Sequence, residues 1–102
     1  MIYFARIETK GNVKIGYTDD NNVDRRLDEL RRAHGDVFFD ALLPGNLAGE
    51  QALHRRFAEG HLGHEWFRAD TPGLQQLISW AIHNEALMSV KGTWPLLESF
   101  LP

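Results

Sequence analysis

Glu50 and His54 stand one helical turn apart in a segment whose apolar residues Leu47, Leu53 and Phe57 define one face. At about 3.6 residues per turn both polar side chains project into that apolar sector, while Arg55 and Arg56 point away. A carboxylate on a buried face is costly unless it is paired or holds a cation. Three arrangements meet that demand. Glu50 forms a buried ion pair with Arg26, or it contacts His54 at i,i+4, or it is the one carboxylate of a site for a hard divalent ion with His54 close by. Magnesium sites in phosphoryl chemistry use one or two carboxylates and leave the other positions to water and phosphate.

Arg26 lies three residues after Val23 and four before Leu30. It therefore flanks the apolar stripe Val23, Leu27, Leu30 of an earlier helix. Its guanidinium takes a carboxylate or a phosphate, or its stem packs and its head stays wet. Arg25 faces the other way, among Asp28, Glu29 and solvent. The Arg25–Arg26, Arg31–Arg32 and Arg55–Arg56 pairs read either as solvated helix faces or as local phosphate contacts. His61 and His64 lie in a Gly-rich loop. With His54 they suggest zinc, but the spacing matches no zinc pattern. His34 suits a helix C-terminus, and His83 reads as a surface residue. Trp66 and Phe67 read as core anchors, and Trp94 as either core or a base-stacking residue.

The elements that must position these residues follow from periodicity. Residues 2–8 and 13–18 are rich in β-branched and aromatic residues around a turn at 9–12, which predicts a β-hairpin. In the second strand Val13, Ile15 and Tyr17 share one face, and Lys14, Gly16 and Thr18 the other. Residues 19–22 supply N-caps for a helix over about 22–34, which Gly35 stops. A third strand spans 37–43, a second helix runs over about 47–59, and 60–65 is a loop. A third helix covers about 72–86, with Leu74, Leu77, Ile78, Ala81 and Ile82 as its core stripe. The order is β-β-α-β-α-α: a small α+β domain with a mainly antiparallel three-stranded sheet flanked by helices. Residues 1–88 form the domain. The apolar tail 89–102 is expected to pack on it or on a partner, including a second copy.

The chain has 102 residues, enough for one modest core, and no cysteine, so disulfides and thiolate metal sites are excluded. No apolar run or leader marks a membrane protein, and a cytoplasmic location is expected. The net charge of −3 counts against broad nucleic-acid binding. Residues 1–68 hold ten of the eleven Lys and Arg against eleven of the fourteen acids, so that part is close to neutral. A DNA-facing surface must be local, built on Arg25, Arg31, Arg55 and Arg56 beside Arg26.

Five ordered elements resemble the GIY-YIG nuclease superfamily. Ile2-Tyr3 stands where the first tripeptide falls, and Lys14-Ile15-Gly16 where the second falls. Arg26-Leu27, then Glu50 with the run to Phe57 (EQALHRRF), then His64–Phe67 (HEWF) continue the pattern. The likeness covers residues 2–67 and is strongest to a compact phage and bacterial branch with a Lys-Ile-Gly-Tyr second motif. It implies metal-dependent hydrolysis of a nucleic-acid phosphodiester. Glu50 would hold Mg2+ or Mn2+, Arg26 would stabilise the charged transition state, and Tyr3 would orient or activate water. The second motif's usual tyrosine is Lys14 here. The general base is then Lys14, or Tyr17 three residues on, or absent. The first motif also has Met1 in place of its glycine.

Two functions are therefore expected. The leading one is a divalent-metal-dependent endonuclease acting on DNA, with RNA not excluded. The other is a non-catalytic module on the same fold that binds nucleic acid or a protein, of phage origin.

Overall fold

The β-branched and aromatic segments at the start of the chain pair as a hairpin. The structure, a computed structural model, describes residues 1–7, 11–19 and 23–91, with side chains to residue 83. Strand β1 (Ile2–Ile7) runs antiparallel to β2 (Asn12–Tyr17), with Tyr3 opposite Gly16 and Phe4 opposite Ile15. Helix α1 (Val23–His34), strand β3 (Val37–Leu43) and helix α2 (Leu47–Arg56) follow. After a 3-10 turn at Ala58–Gly60 come β4 (His61–Gly63), β5 (Trp66–Arg68) and α3 (Leu74–Lys91). Gly35 ends α1 at φ 82°, where its N–H donates to the Arg31 carbonyl.

The strand order is β3-β1-β2-β5-β4, and every ladder is antiparallel. The α+β class agrees with the periodicity. The sheet has five strands where three were expected. The Gly-rich 60–65 stretch and the Trp66 segment form a short hairpin, which adds to β2. Strands of three residues are too short to display alternation, and their partner is distant in sequence.

Alternation divides the core between two sheet faces. Ile2, Phe4, Val13, Ile15 and Phe67 pack with Leu53, Phe57 and the α3 stripe. Tyr3, Ala5 and Ile7 pack on the opposite side with Leu27 and Leu30 of α1. Strand β3 serves both faces because of a bulge. Ala5 pairs with Phe39 and Phe4 with Ala41, so Asp40 is the extra residue. Val37 and Phe39 therefore face α1, whereas Ala41 and Leu43 face α3.

Two stripe assignments change. Leu47 is 50 % exposed and Ile82 is 48 % exposed. At roughly 100° per residue, Leu47 falls about 120° from Leu53, and Ile82 about 90° from the centre of the α3 stripe. Each sits at the margin of its helix's buried face. The Asn22 start of the first helix and the tail beyond residue 91, with Trp94, lie outside the described residues. So does most of the cap run, at 20–22. No described helix is long and apolar enough to cross a membrane.

Candidate functional site

Asn46 starts α2 by accepting a hydrogen bond from the Gly49 amide at 2.8 Å. Leu53 and Phe57 then bury the seam of the helix. Glu50 is about 60° from Leu53 around the axis, and only 4 % of it is exposed. Of the three arrangements open to Glu50, the Arg26 pair is not formed. Its Oε1 lies 3.0 Å from His54 Nε2, one turn on. That nitrogen is also 2.8 Å from the Ile15 carbonyl oxygen of β2. The His54 ring packs edge-on to Phe67, with centroids 5.0 Å apart.

Lys14 approaches the same place from β2. Its Nζ lies 3.2 Å from Glu65 Oε2 and 5.5 Å from the centre of the Trp66 ring. Trp66 pairs with Lys14 across the β2–β5 ladder, and the His34 ring at the end of α1 makes a T-shaped contact with its indole at 5.3 Å. Glu65 sits in the β4–β5 turn beside His64, which adopts φ 51°. Its carbonyl accepts from the Ile15 amide at 2.9 Å. Together these elements enclose a cleft of ≈770 Å3, lined among others by Lys14, Glu50, His54, Glu65 and Trp66.

Tyr3 lies behind the cleft in the core. Its ring stacks on Phe39 and covers Gly16, where any Cβ would overlap the phenol. Burial pushes its hydroxyl well above the usual phenol range. The charge of Glu65 adds to the shift, and that of Arg26 opposes it. Glu50 is likewise raised above the ordinary carboxylate value, first by burial and then by Glu65, with His54 and Lys14 offsetting part. Two carboxylates thus share the cleft and repel each other.

The other expected residues are dispersed. Arg26 is 44 % exposed on α1 and bonds Glu29 at 3.1 Å. It is the head-in-water arrangement, although its charge still reaches Tyr3. Tyr17 projects to the opposite face of β2 from Lys14, and its hydroxyl lies 3.4 Å from Asp19. Arg25, Arg31, Arg55 and Arg56 are exposed, and Arg25 also reaches Glu29, at 3.8 Å. His61 donates to or accepts from no other histidine side chain; its Nε2 is 2.6 Å from the His64 carbonyl. Among the described residues no three His, Cys, Asp or Glu side chains converge as a metal cluster. Phe67 is a core anchor as expected, while Trp66 is half-buried and borders the cleft.

Glu65 is the residue to which the sequence assigned no role. It lies in a turn, where no periodicity aims a side chain. Its only sequence signal was its place in the HEWF run.

No curated protein and no solved structure matches the chain. The T5orf172 domain, a phage-associated domain related to nuclease-like folds, matches residues 1–84. That match takes in all five strands, α1, α2 and the cleft, and the chain belongs to the T5orf172 domain family.

Proposed function

We propose that this protein is a divalent-metal-dependent endonuclease of the GIY-YIG type that hydrolyses DNA phosphodiester bonds. One observation carries the reading. Lys14, Glu50 and His54 border a single cleft, and Tyr3 lies close enough for Glu50, Glu65 and Arg26 to act on its hydroxyl. Membership of the T5orf172 domain family supports the same class.

The donor chemistry of the cleft suits a hard ion such as Mg2+ or Mn2+. Glu50 and Glu65 offer carboxylate oxygens, and no thiolate is present. When bound, such an ion neutralises charge on the scissile phosphate and on the leaving oxygen. Lys14 presents a further cation to a non-bridging phosphate oxygen. Tyr3 stays neutral in its buried setting, outside the lining of the cleft. Tyr17 faces away from Lys14 on β2, so Lys14 is the second-motif residue beside the cleft. Arg26 is held only by a surface pair with Glu29. Such pairs are worth about 0–1 kcal/mol, so an incoming phosphate draws Arg26 away at small cost. In the reaction, water oxygen bonds to phosphorus and the ester P–O bond breaks. One proton of the water goes to the leaving oxygen, which departs as an alcohol, and the other stays with the phosphate monoester or passes to solvent.

The deciding experiment is nicking of supercoiled plasmid in Mg2+ or Mn2+. Wild-type protein is expected to nick, and Glu50→Ala and Arg26→Ala to lose nicking with unchanged circular dichroism. A second reading, a non-catalytic module that binds nucleic acid or protein, draws on the cleft's own charge. Glu50 and Glu65 outnumber Lys14 there, in line with the chain's net −3. Absence of cleavage with both metals on plasmid, single-stranded DNA and RNA assigns the protein to that second reading.

A further inference from the structure

The β2–β5 ladder runs Asn12–Arg68, Val13–Phe67, Lys14–Trp66 and stops, because β5 begins at Trp66. The next residue of β2 is Ile15, which is fully buried. Its N–H still finds the Glu65 carbonyl in the preceding turn, at 2.9 Å. In an antiparallel strand the N–H and C=O of one residue point to the same side. The Ile15 carbonyl is therefore aimed past the end of β5, where no strand receives it. A buried carbonyl needs a donor, and α2 supplies one. His54 Nε2 lies 2.8 Å away.

The same nitrogen lies 3.0 Å from Glu50 Oε1. A backbone carbonyl can only accept, so Nε2 must carry the hydrogen. That one N–H is shared between Ile15 and Glu50. Edge-on contact with Phe67 at 5.0 Å holds the ring plane, and the His61 ring stands 6.2 Å away. A proton committed to two acceptors is badly placed for transfer to substrate. It is well placed to hold a carboxylate in one orientation.

We infer that His54 is a positioning residue: its shared Nε2–H ties α2 to the end of β2 and aims the Glu50 carboxylate into the cleft. The inference rests on the metal-dependent reading above and deepens it. Ligating carboxylates are commonly oriented by such outer hydrogen bonds, and losing one typically weakens metal binding about 10–100-fold.

The test measures Mn2+ affinity by titration calorimetry for wild type, His54→Phe, His54→Gln and Glu50→Gln, with folding checked by circular dichroism. Phe keeps the ring volume without the donor. Gln restores an N–H donor near the same position. His54→Phe is expected to weaken Mn2+ binding about 10–100-fold, and His54→Gln to recover it to within about threefold. In metal-free protein, long-range 1H–15N NMR is expected to show His54 as the Nε2–H tautomer. That measurement decides the question even if His54→Phe does not fold. Wild-type Mn2+ affinity in folded His54→Phe, a failure of folded His54→Gln to recover it, or an Nδ1–H tautomer overturns the role. Unchanged affinity in Glu50→Gln, or no Mn2+ binding by wild type, overturns the metal reading itself, and the tautomer then tests the shared hydrogen bond alone.

Discussion

Tyr3 faces Gly16 directly across the β1–β2 ladder, and its phenol ring occupies the volume that a side chain at residue 16 would need. The two motif segments are thus coupled by shape. A tyrosine on one strand lies flat over the neighbouring strand only where that strand carries glycine. Gly16→Ala is expected to push the ring off its seat against Phe39 and to destabilise the fold by about 1–3 kcal/mol, the usual cost of overpacking. Thermal unfolding and near-ultraviolet circular dichroism check this. An unchanged melting temperature would mean that Tyr3 has room to move.

Glu50 makes a prediction whose sign depends on pH. Its folded value is raised above 4.5, so the fold prefers the neutral acid. The contribution to stability is full below the unfolded value. It is lost as pH rises through the raised folded value. Metal-free Glu50→Gln is therefore expected to match or exceed the wild-type melting temperature at about pH 7, with its advantage fading toward about pH 4. Plasmid cleavage by the same variant is expected to fall about 100-fold or more, since metal stabilisation of charge is worth several kcal/mol. A variant markedly less stable than wild type at neutral pH would contradict the burial argument.

Tyr3 is raised by burial first and by Glu65 second. Its phenol contributes stability below the unfolded value of about 10 and loses that contribution above it. Alkaline absorbance titration should therefore show no ionisation of Tyr3 before the protein unfolds. Wild type and Tyr3→Phe should give the same tyrosinate signal up to that point. A signal near pH 10, roughly the free-phenol value, that is present in wild type and missing in Tyr3→Phe would place the hydroxyl in water.

The Lys14–Glu65 pair is partly solvated, with the two side chains 17 % and 36 % exposed. Screening keeps such a pair small, so Lys14→Gln is expected to change stability by less than about 1 kcal/mol. Its effect on cleavage should be much larger, about 100-fold, if the ammonium meets the phosphate in the transition state. Denaturant melts and nicking rates on the same preparation separate the two effects. Equal and small changes in both would remove Lys14 from the reaction.

The order of the main elements was legible in the sequence because hydrophobic period is a local property. The 37–43 strand, the Leu74–Ala81 stripe and the opposition of Lys14 and Tyr17 on β2 all followed from spacing alone. So did the placing of Glu50 and His54 toward a buried sector. Where a residue sat at the margin of a stripe, as Leu47 and Ile82 do, period alone misplaced it, because the partner surface sets how wide the buried face becomes.

What only the tertiary structure decided depends on contacts between distant segments. The β4–β5 hairpin adds to β2 through pairs that no local pattern encodes. Its early end leaves the Ile15 carbonyl to His54, and its turn brings Glu65 to Lys14. The sequence by itself determined that an acid and a histidine share a buried helix face. The choice of His54, itself tied to a strand carbonyl, rather than Arg26, as the partner of Glu50 was made by packing, since partner choice is settled by which backbone groups the sheet leaves unpaired.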